Sequence, residues 1–226
     1  MFVDVKLGYS IKNIKFCGMN IKEAYKEWSN QYDTNENKTR DLEAVALRAV
    51  LSSIHFDKVL EFGCGTGKNT VWFEQNAKEI LSADFSEAMI AKAAEKIKSL
   101  KVQFAVTDIN EPWDFSKEKF DLVSFSLVLE HIQNIEAVFN KINQVTESGA
   151  FVYIGELHPF KQYAGSKARY TTPEGEQIVT CYTHNVSDFI KAANKYNFSL
   201  MDLEEWFDDN DRSQIPRILT MLFKKH

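Results

Sequence analysis

Two hydrophobic periods alternate along residues 39–223. Apolar runs at 58–62, 79–83, 102–106, 120–125 and 151–155 have the length and composition of buried strands. Between them, apolar positions return every three to four residues. Leu42, Val45, Ala46, Ala49 and Val50 do so within 39–54, Met89, Ile90, Ala93, Ala94 and Ile97 within 86–98, and a further stretch covers 136–145. These are amphipathic helices. Ser86 stands where a helix N-cap accepts a backbone N–H, and a short helix runs from Asn69 to about Asn76. Strand and helix in alternation predict an α/β fold with right-handed crossovers and a ligand crevice at the carboxyl ends of the strands.

Both ends of this pattern are elaborated. Val3, Val5, Leu7 and Tyr9 alternate with other residues and predict a small strand pair within 1–17, while Tyr25, Trp28 and Tyr32 fall on one face of a helix over 21–32. After the run at 151–155 the alternation stops for about thirty residues that carry Phe160, Tyr163, Tyr170 and Tyr182. Ordered connections of that length at a ligand face are commonly lids. Within it, Pro173-Glu174-Gly175-Glu176 reads as the turn of a hairpin. A helix over 188–196 and strands over 198–206 and 217–223 close the chain. We expect a single domain over 1–226, with 1–38 as a cover and 156–186 as a lid insertion.

The chemistry centres on Glu61-Phe62-Gly63-Cys64-Gly65-Thr66-Gly67-Lys68-Asn69, where a strand ends in an acid and three glycines follow at alternate positions. Glycine reaches backbone conformations closed to other residues and leaves no Cβ between chain and ligand. A nucleotide-phosphate loop would need glycine where Phe62 stands and Ser or Thr where Asn69 stands. A dinucleotide fingerprint would need a small third residue where Lys68 stands. The form that remains, Glu-x-Gly-x-Gly-x-Gly, resembles the first motif of class I S-adenosylmethionine-dependent methyltransferases. Asp84 ends the second strand 17 residues beyond Gly67, Asp108-Ile109 follows the third, and Ser126-Leu127-Val128-Leu129-Glu130-His131-Ile132 follows the fourth. All three match the same family, closest to its ubiquinone/menaquinone-biosynthesis-like, small-molecule branch.

That resemblance implies a Rossmann-like, seven-stranded, mostly parallel sheet of order 3-2-1-4-5-7-6, with strand 7 antiparallel and helices on both faces. It implies S-adenosylmethionine as cofactor, held by Arg40, Glu61, Gly63, Cys64, Gly65, Gly67, Asp84, Phe85, Met89, Asp108, Ile109, Ser126 and Leu127. Asp84 would accept from the ribose hydroxyls, Asp108 from the adenine amino group, and Ile109 would read the ring by its backbone. Arg40 would meet the cofactor carboxylate, Met89 would floor the adenine pocket, and backbone at 126–127 would pass the methionyl end. Tyr25, Trp28, Tyr32, Arg169, Tyr170 and Tyr182 are candidate substrate contacts. His131, His158 and His184 are candidate proton acceptors, because imidazole titrates near neutrality.

Charge and composition narrow the partners. A net charge of -5 gives no reason to seek nucleic acid, and no Asn/Asp-Pro-Pro-Tyr/Phe signature follows strand four. Both point to a small-molecule acceptor. No apolar run approaches the roughly 18 residues of a membrane span, and Cys17, Cys64 and Cys181 lie far apart without metal-ligand spacing. A cytoplasmic enzyme without metal is expected. Two other readings share the sheet: a nicotinamide-dependent oxidoreductase, and a non-catalytic cofactor-binding subunit.

Overall fold

A computed structural model describes residues 36–113, 119–167, 169–172 and 175–226. The strand pair expected within 1–17 and the aromatic helix over 21–32 lie outside them. The ordered elements are α1 (Lys38–Leu51), β1 (Lys58–Phe62), α2 (Thr70–Asn76), β2 (Glu79–Asp84), α3 (Glu87–Lys96), β3 (Val102–Val106), β4 (Phe120–Ser126) and a 3-10 turn (Leu129–His131). They continue with α4 (Ile135–Val145), β5 (Thr146–Leu157), α5 (Pro159–Tyr163), β6 (Arg169–Thr172), β7 (Gly175–Ile178), α6 (Val186–Lys195), β8 (Phe198–Trp206) and β9 (Ile218–Lys225).

Seven strands form one sheet in the order β3-β2-β1-β4-β5-β9-β8. The pairs from β3 to β5 are parallel, and β9 runs antiparallel to both neighbours. Because the hairpin β6–β7 pairs only with itself, β8 and β9 are the sixth and seventh strands of the expected 3-2-1-4-5-7-6 order. Asp121 fixes one register from outside the ladder, since its carboxylate accepts the backbone N–H of Asp57 and Lys58 at 2.8 and 2.9 Å. This ties the start of β1 to β4.

Alternation along the strands divides the core between the two faces of the sheet. Leu60, Val123 and Val152 pack with Phe139, Phe189, Phe198 and Phe223 around α4 and α6, whereas Val59, Leu122 and Tyr153 pack with Leu47, Leu51, Phe56 and Phe73 around α1 and α2. Phe139 meets Phe198 and Phe223 edge-on at 5.9 and 5.7 Å, each such burial contributing about 1.5–3 kcal/mol.

Two expectations shift. Helix α1 turns a different face inward: Glu43, Ala46, Leu47 and Val50 are buried while Val45 is 56% exposed. Hydropathy assigned this face wrongly because Glu43 is buried as a hydrogen-bonded acid, accepting from Tyr153 Oη at 3.2 Å and Asn69 Nδ2 at 3.1 Å. β5 also begins at Thr146 rather than near 151, so the sheet ladder takes over directly where α4 ends.

Candidate active site

The glycine loop is shaped by its backbone. Gly63, Gly65 and Gly67 have φ of 69°, 53° and 85°, in the left-handed region that costs other residues roughly 1–2 kcal/mol. At Gly63 space matters as well, because a Cβ would lie 1.9 Å from Val128 Cγ2. The loop therefore closes against the segment that follows β4. Gly63 and Cys64 donate their N–H groups to the Ala83 carbonyl, which brings the ends of β1 and β2 together.

Asp84 lies at that junction. One carboxylate oxygen accepts Gly65 N–H at 2.9 Å and the other accepts Ser86 N–H at 2.9 Å. Burial raises its pKa to about 6, against the opposing pull of these backbone donors. A carboxylate offers about four acceptor positions, so this buried acid, which lines the cleft, retains acceptor capacity toward a ligand. Glu61 faces the other way, beneath the loop, where Thr70 Oγ1 donates to it at 2.6 Å and Ser82 Oγ at 2.8 Å. Burial pushes its pKa up to about 7.

Past β3, Thr107 donates to the Asp84 carbonyl and Asp108 accepts Asn110 N–H at 2.8 Å. Lys141 of α4 braces this turn from outside, its ammonium donating to the carbonyls of Ile109, Asn110 and Glu111 at 2.8, 2.6 and 2.8 Å. Trp113 adds an indole N–H to Ile109 at 3.2 Å and packs on Phe62 at 4.3 Å between ring centroids. Past β4, Leu127 adopts φ of 57° and donates to the Gly155 carbonyl.

These segments enclose one cleft of about 410 Å³, lined by Phe62, Gly63, Gly65, Asp84, Phe85 and Val106–Asn110, and closed by Leu127, Val128, His131 and Ile132. Its size suits a small ligand. It therefore brings together seven of the cofactor residues expected from the sequence: Gly63, Gly65, Asp84, Phe85, Asp108, Ile109 and Leu127. The glycine cradle, the buried acid at the end of β2 and the braced turn beyond β3 fit S-adenosylmethionine.

The remaining candidates lie elsewhere. Arg40 sits 3.5 Å from Asp41, and Ser126 accepts from Asn69 Nδ2 at 3.3 Å. Cys64 is buried, with its thiol pKa raised by burial, so it stays protonated. Met89 is 0% exposed and belongs to the core rather than to an adenine floor, because the turn capped by Ser86 faces its side chain inward. Gly67 packs on Ala93 and Ile97.

Among the histidines, only His131 lines the cleft. Its Nδ1–H donates to the Thr180 carbonyl at 3.1 Å, which leaves the proton-accepting lone pair of the neutral ring on Nε2. His158 is 2% exposed and caps α5: Nδ1 accepts Phe160 N–H at 3.1 Å and Nε2 lies 3.2 Å from Glu205. His184 donates to the Ile132 carbonyl at 2.7 Å. The stretches after β5 and before α6, in which these two stand, also serve helix starts and loop anchors. Tyr182 donates its backbone N–H to the Glu130 carbonyl at 2.7 Å. Arg169 and Tyr170 lie on β6, paired with Ile178 and Gln177, and Tyr25, Trp28 and Tyr32 fall outside the described residues.

A mostly parallel sheet of this order, with a glycine loop after its first strand and acids at the ends of its second and third, is the fold of solved S-adenosylmethionine-dependent methyltransferases. The N-methyltransferase NodS from Bradyrhizobium japonicum WM9, solved with S-adenosyl-L-homocysteine, shares the fold with a TM-score of 0.68 at 16% identity, over 92% of this chain and 99% of that one. Residues 60–154 match the family model described as "Methyltransferase domain". Phosphoethanolamine N-methyltransferase 3 of Arabidopsis thaliana is 30% identical over 142 residues, which is 60% of this chain and 29% of the relative. Ubiquinone biosynthesis O-methyltransferase of Azoarcus sp. (strain BH72) is 29% identical over 141 residues, 60% of this chain and 59% of the relative. The chain thus spans less than two thirds of the length of either relative.

Proposed function

We propose that the protein transfers the methyl group of S-adenosylmethionine to a small-molecule acceptor. The observation that carries this reading is the convergence of Gly63, Gly65, Asp84, Phe85, Asp108, Ile109 and Leu127 on one cleft at the carboxyl ends of β1 to β4. In it, Asp84 accepts from both ribose hydroxyls, Asp108 from the adenine amino group, and backbone of Gly63, Gly65 and Leu127 borders the amino-acid end. The bound cofactor supplies an electrophilic methyl on a sulfonium, open to in-line displacement. The chain's own work is to exclude water and hold the acceptor about 3–3.5 Å from that carbon. His131, the histidine that lines the cleft, takes the proton where the acceptor must lose one.

Residues 1–38 and 156–186 act as cover and lid within a single domain. Supporting the second assignment, Thr180 and Tyr182 of the insertion bond to His131 and Glu130 at the cleft margin. Tyr25, Trp28, Tyr32, Arg169, Tyr170 and Tyr182 complete the acceptor side in this reading. The relatives' names cover both N- and O-methylation, so the reading stops at the acceptor class. Among the described residues no helix is long and apolar enough to cross a membrane, and the free, buried thiol of Cys64 fits a cytoplasmic setting.

The test is to supply cofactor tritiated in its methyl group with a panel of phenols, carboxylic acids, amines and thiols. Acceptor-dependent transfer of tritium from the cofactor to a methylated product supports the reading. Cofactor binding without turnover on any acceptor class would favour the non-catalytic subunit.

A further inference from the structure

The segment that follows β4 is held in an unusual way. Leu127 is a non-glycine residue in the left-handed region, and the turn after it directs three consecutive backbone N–H groups at one side chain. Glu156, second from the end of β5 and 4% exposed, accepts Val128 N–H at 2.9 Å and Leu129 N–H at 2.8 Å on one oxygen, and Glu130 N–H at 3.4 Å on the other. The neighbouring Gly155 carbonyl takes Leu127 N–H at 2.8 Å. Four successive amides of the cleft wall are thus bound to two residues of β5.

Those amides carry the wall itself. Leu127, Val128, His131 and Ile132 line the cleft, and Val128 packs where a side chain on Gly63 would stand. Sheet order assigns this wall to one end of the ligand. β2 and β3, which bring the ribose and adenine acids, lie on one side of β1, and β4 lies on the other. Glu156 itself is not among the residues that line the cleft.

We propose that Glu156 is a positioning residue, whose side-chain carboxyl group clamps residues 127–130 so that the cleft accepts the amino-acid end of the cofactor. This rests on the function proposed above. Removing the clamp loosens the wall beside β4 and leaves the adenosine side, built on β1 to β3 and braced by Lys141, in place. A residue needed only for folding would affect both sides alike.

The test compares two ligands by calorimetry: S-adenosylhomocysteine, and methylthioadenosine, which lacks the amino-acid end. Glu156→Leu removes all three acceptor contacts and should weaken S-adenosylhomocysteine about tenfold or more, with methylthioadenosine changed less than twofold. Glu156→Gln keeps one oxygen for Val128 and Leu129 but turns an N–H toward that of Glu130, so an intermediate loss confined to S-adenosylhomocysteine is expected. It decides the matter if the leucine variant does not fold. Equal losses for both ligands, or undiminished S-adenosylhomocysteine affinity in both variants, would overturn the clamp while leaving the cofactor assignment intact. A wild-type protein that binds neither ligand would overturn the cofactor assignment and the clamp with it.

Discussion

Replacing Asp84 by asparagine separates what this acid does for the fold from what it does for a ligand. In the folded chain each carboxylate oxygen holds one backbone N–H, from Gly65 and from Ser86. Asparagine keeps one of these and sets an amide N–H against the other, a mismatch that costs about 1–3 kcal/mol of stability. Binding loses something different, namely the charged acceptor for the ribose hydroxyls. Hydrogen bonds to charged groups contribute about 1.5–3 kcal/mol, so S-adenosylhomocysteine should bind roughly 10- to 150-fold more weakly. The pH profile supplies a second readout. With its pKa raised to about 6 by burial, Asp84 is ionised at neutral pH and protonates below 6. Wild-type affinity should then fall about tenfold per pH unit below that point, and the asparagine variant should lack this dependence. Calorimetry between pH 5 and 8 measures both. Asparagine affinity within twofold of wild type, or an unchanged profile below pH 6, would refute the ribose role.

Three other perturbations have defined outcomes. Gly63→Ala places a methyl 1.9 Å from Val128 Cγ2 at a φ of 69° and should lower stability by ~2–4 kcal/mol in urea denaturation; a loss under 1 kcal/mol would contradict the close approach of loop and wall. Lys141→Met removes the ammonium from three carbonyls and should weaken methylthioadenosine and S-adenosylhomocysteine equally, by about 3- to 10-fold. Loss of S-adenosylhomocysteine binding alone would show that it does not brace the adenine side. Finally, burial holds Glu61 and Glu156 at pKa values of about 7 and 8, above the ordinary 4.5. The folded chain therefore keeps protons that the unfolded chain releases. Stability should be greatest near or below pH 5 and fall as pH rises toward 8, with a slope of up to ~1.4 kcal/mol per pH unit for each group. Asp41, Asp57 and Asp208, whose partners lower their pKa, act only in the acid range. A melting temperature that rises between pH 5 and 8 would reverse the sign.

Much of this architecture was legible because its signals are local. Short apolar runs, helical spacing and alternate glycines read directly onto β1 to β5, their helices and the loop at 63–67. The cleft-lining acids Asp84 and Asp108 were legible for the same reason, since Asp84 ends β2 and Asp108 stands two residues past β3. What escaped was polar and non-local. Glu43 turned α1 away from its hydropathic face because its partners, Tyr153 and Asn69, come from distant parts of the chain. Glu156 and Lys141 bind backbone atoms tens of residues away, and backbone carries no sequence signature. The one cue to Glu156 was an acid inside the apolar run of β5, in Tyr153-Ile154-Gly155-Glu156-Leu157. His158 stands in the same stretch, yet capping α5 places it among the buried residues.

The most direct test of the central claim is a crystal structure with S-adenosylhomocysteine bound. The account predicts ribose hydroxyls within about 3 Å of the Asp84 carboxylate, adenine against Asp108 and Ile109, and the amino-acid end beside Leu127. Ligand bound outside this cleft, or in it with the adenine end beside Leu127, would contradict the account.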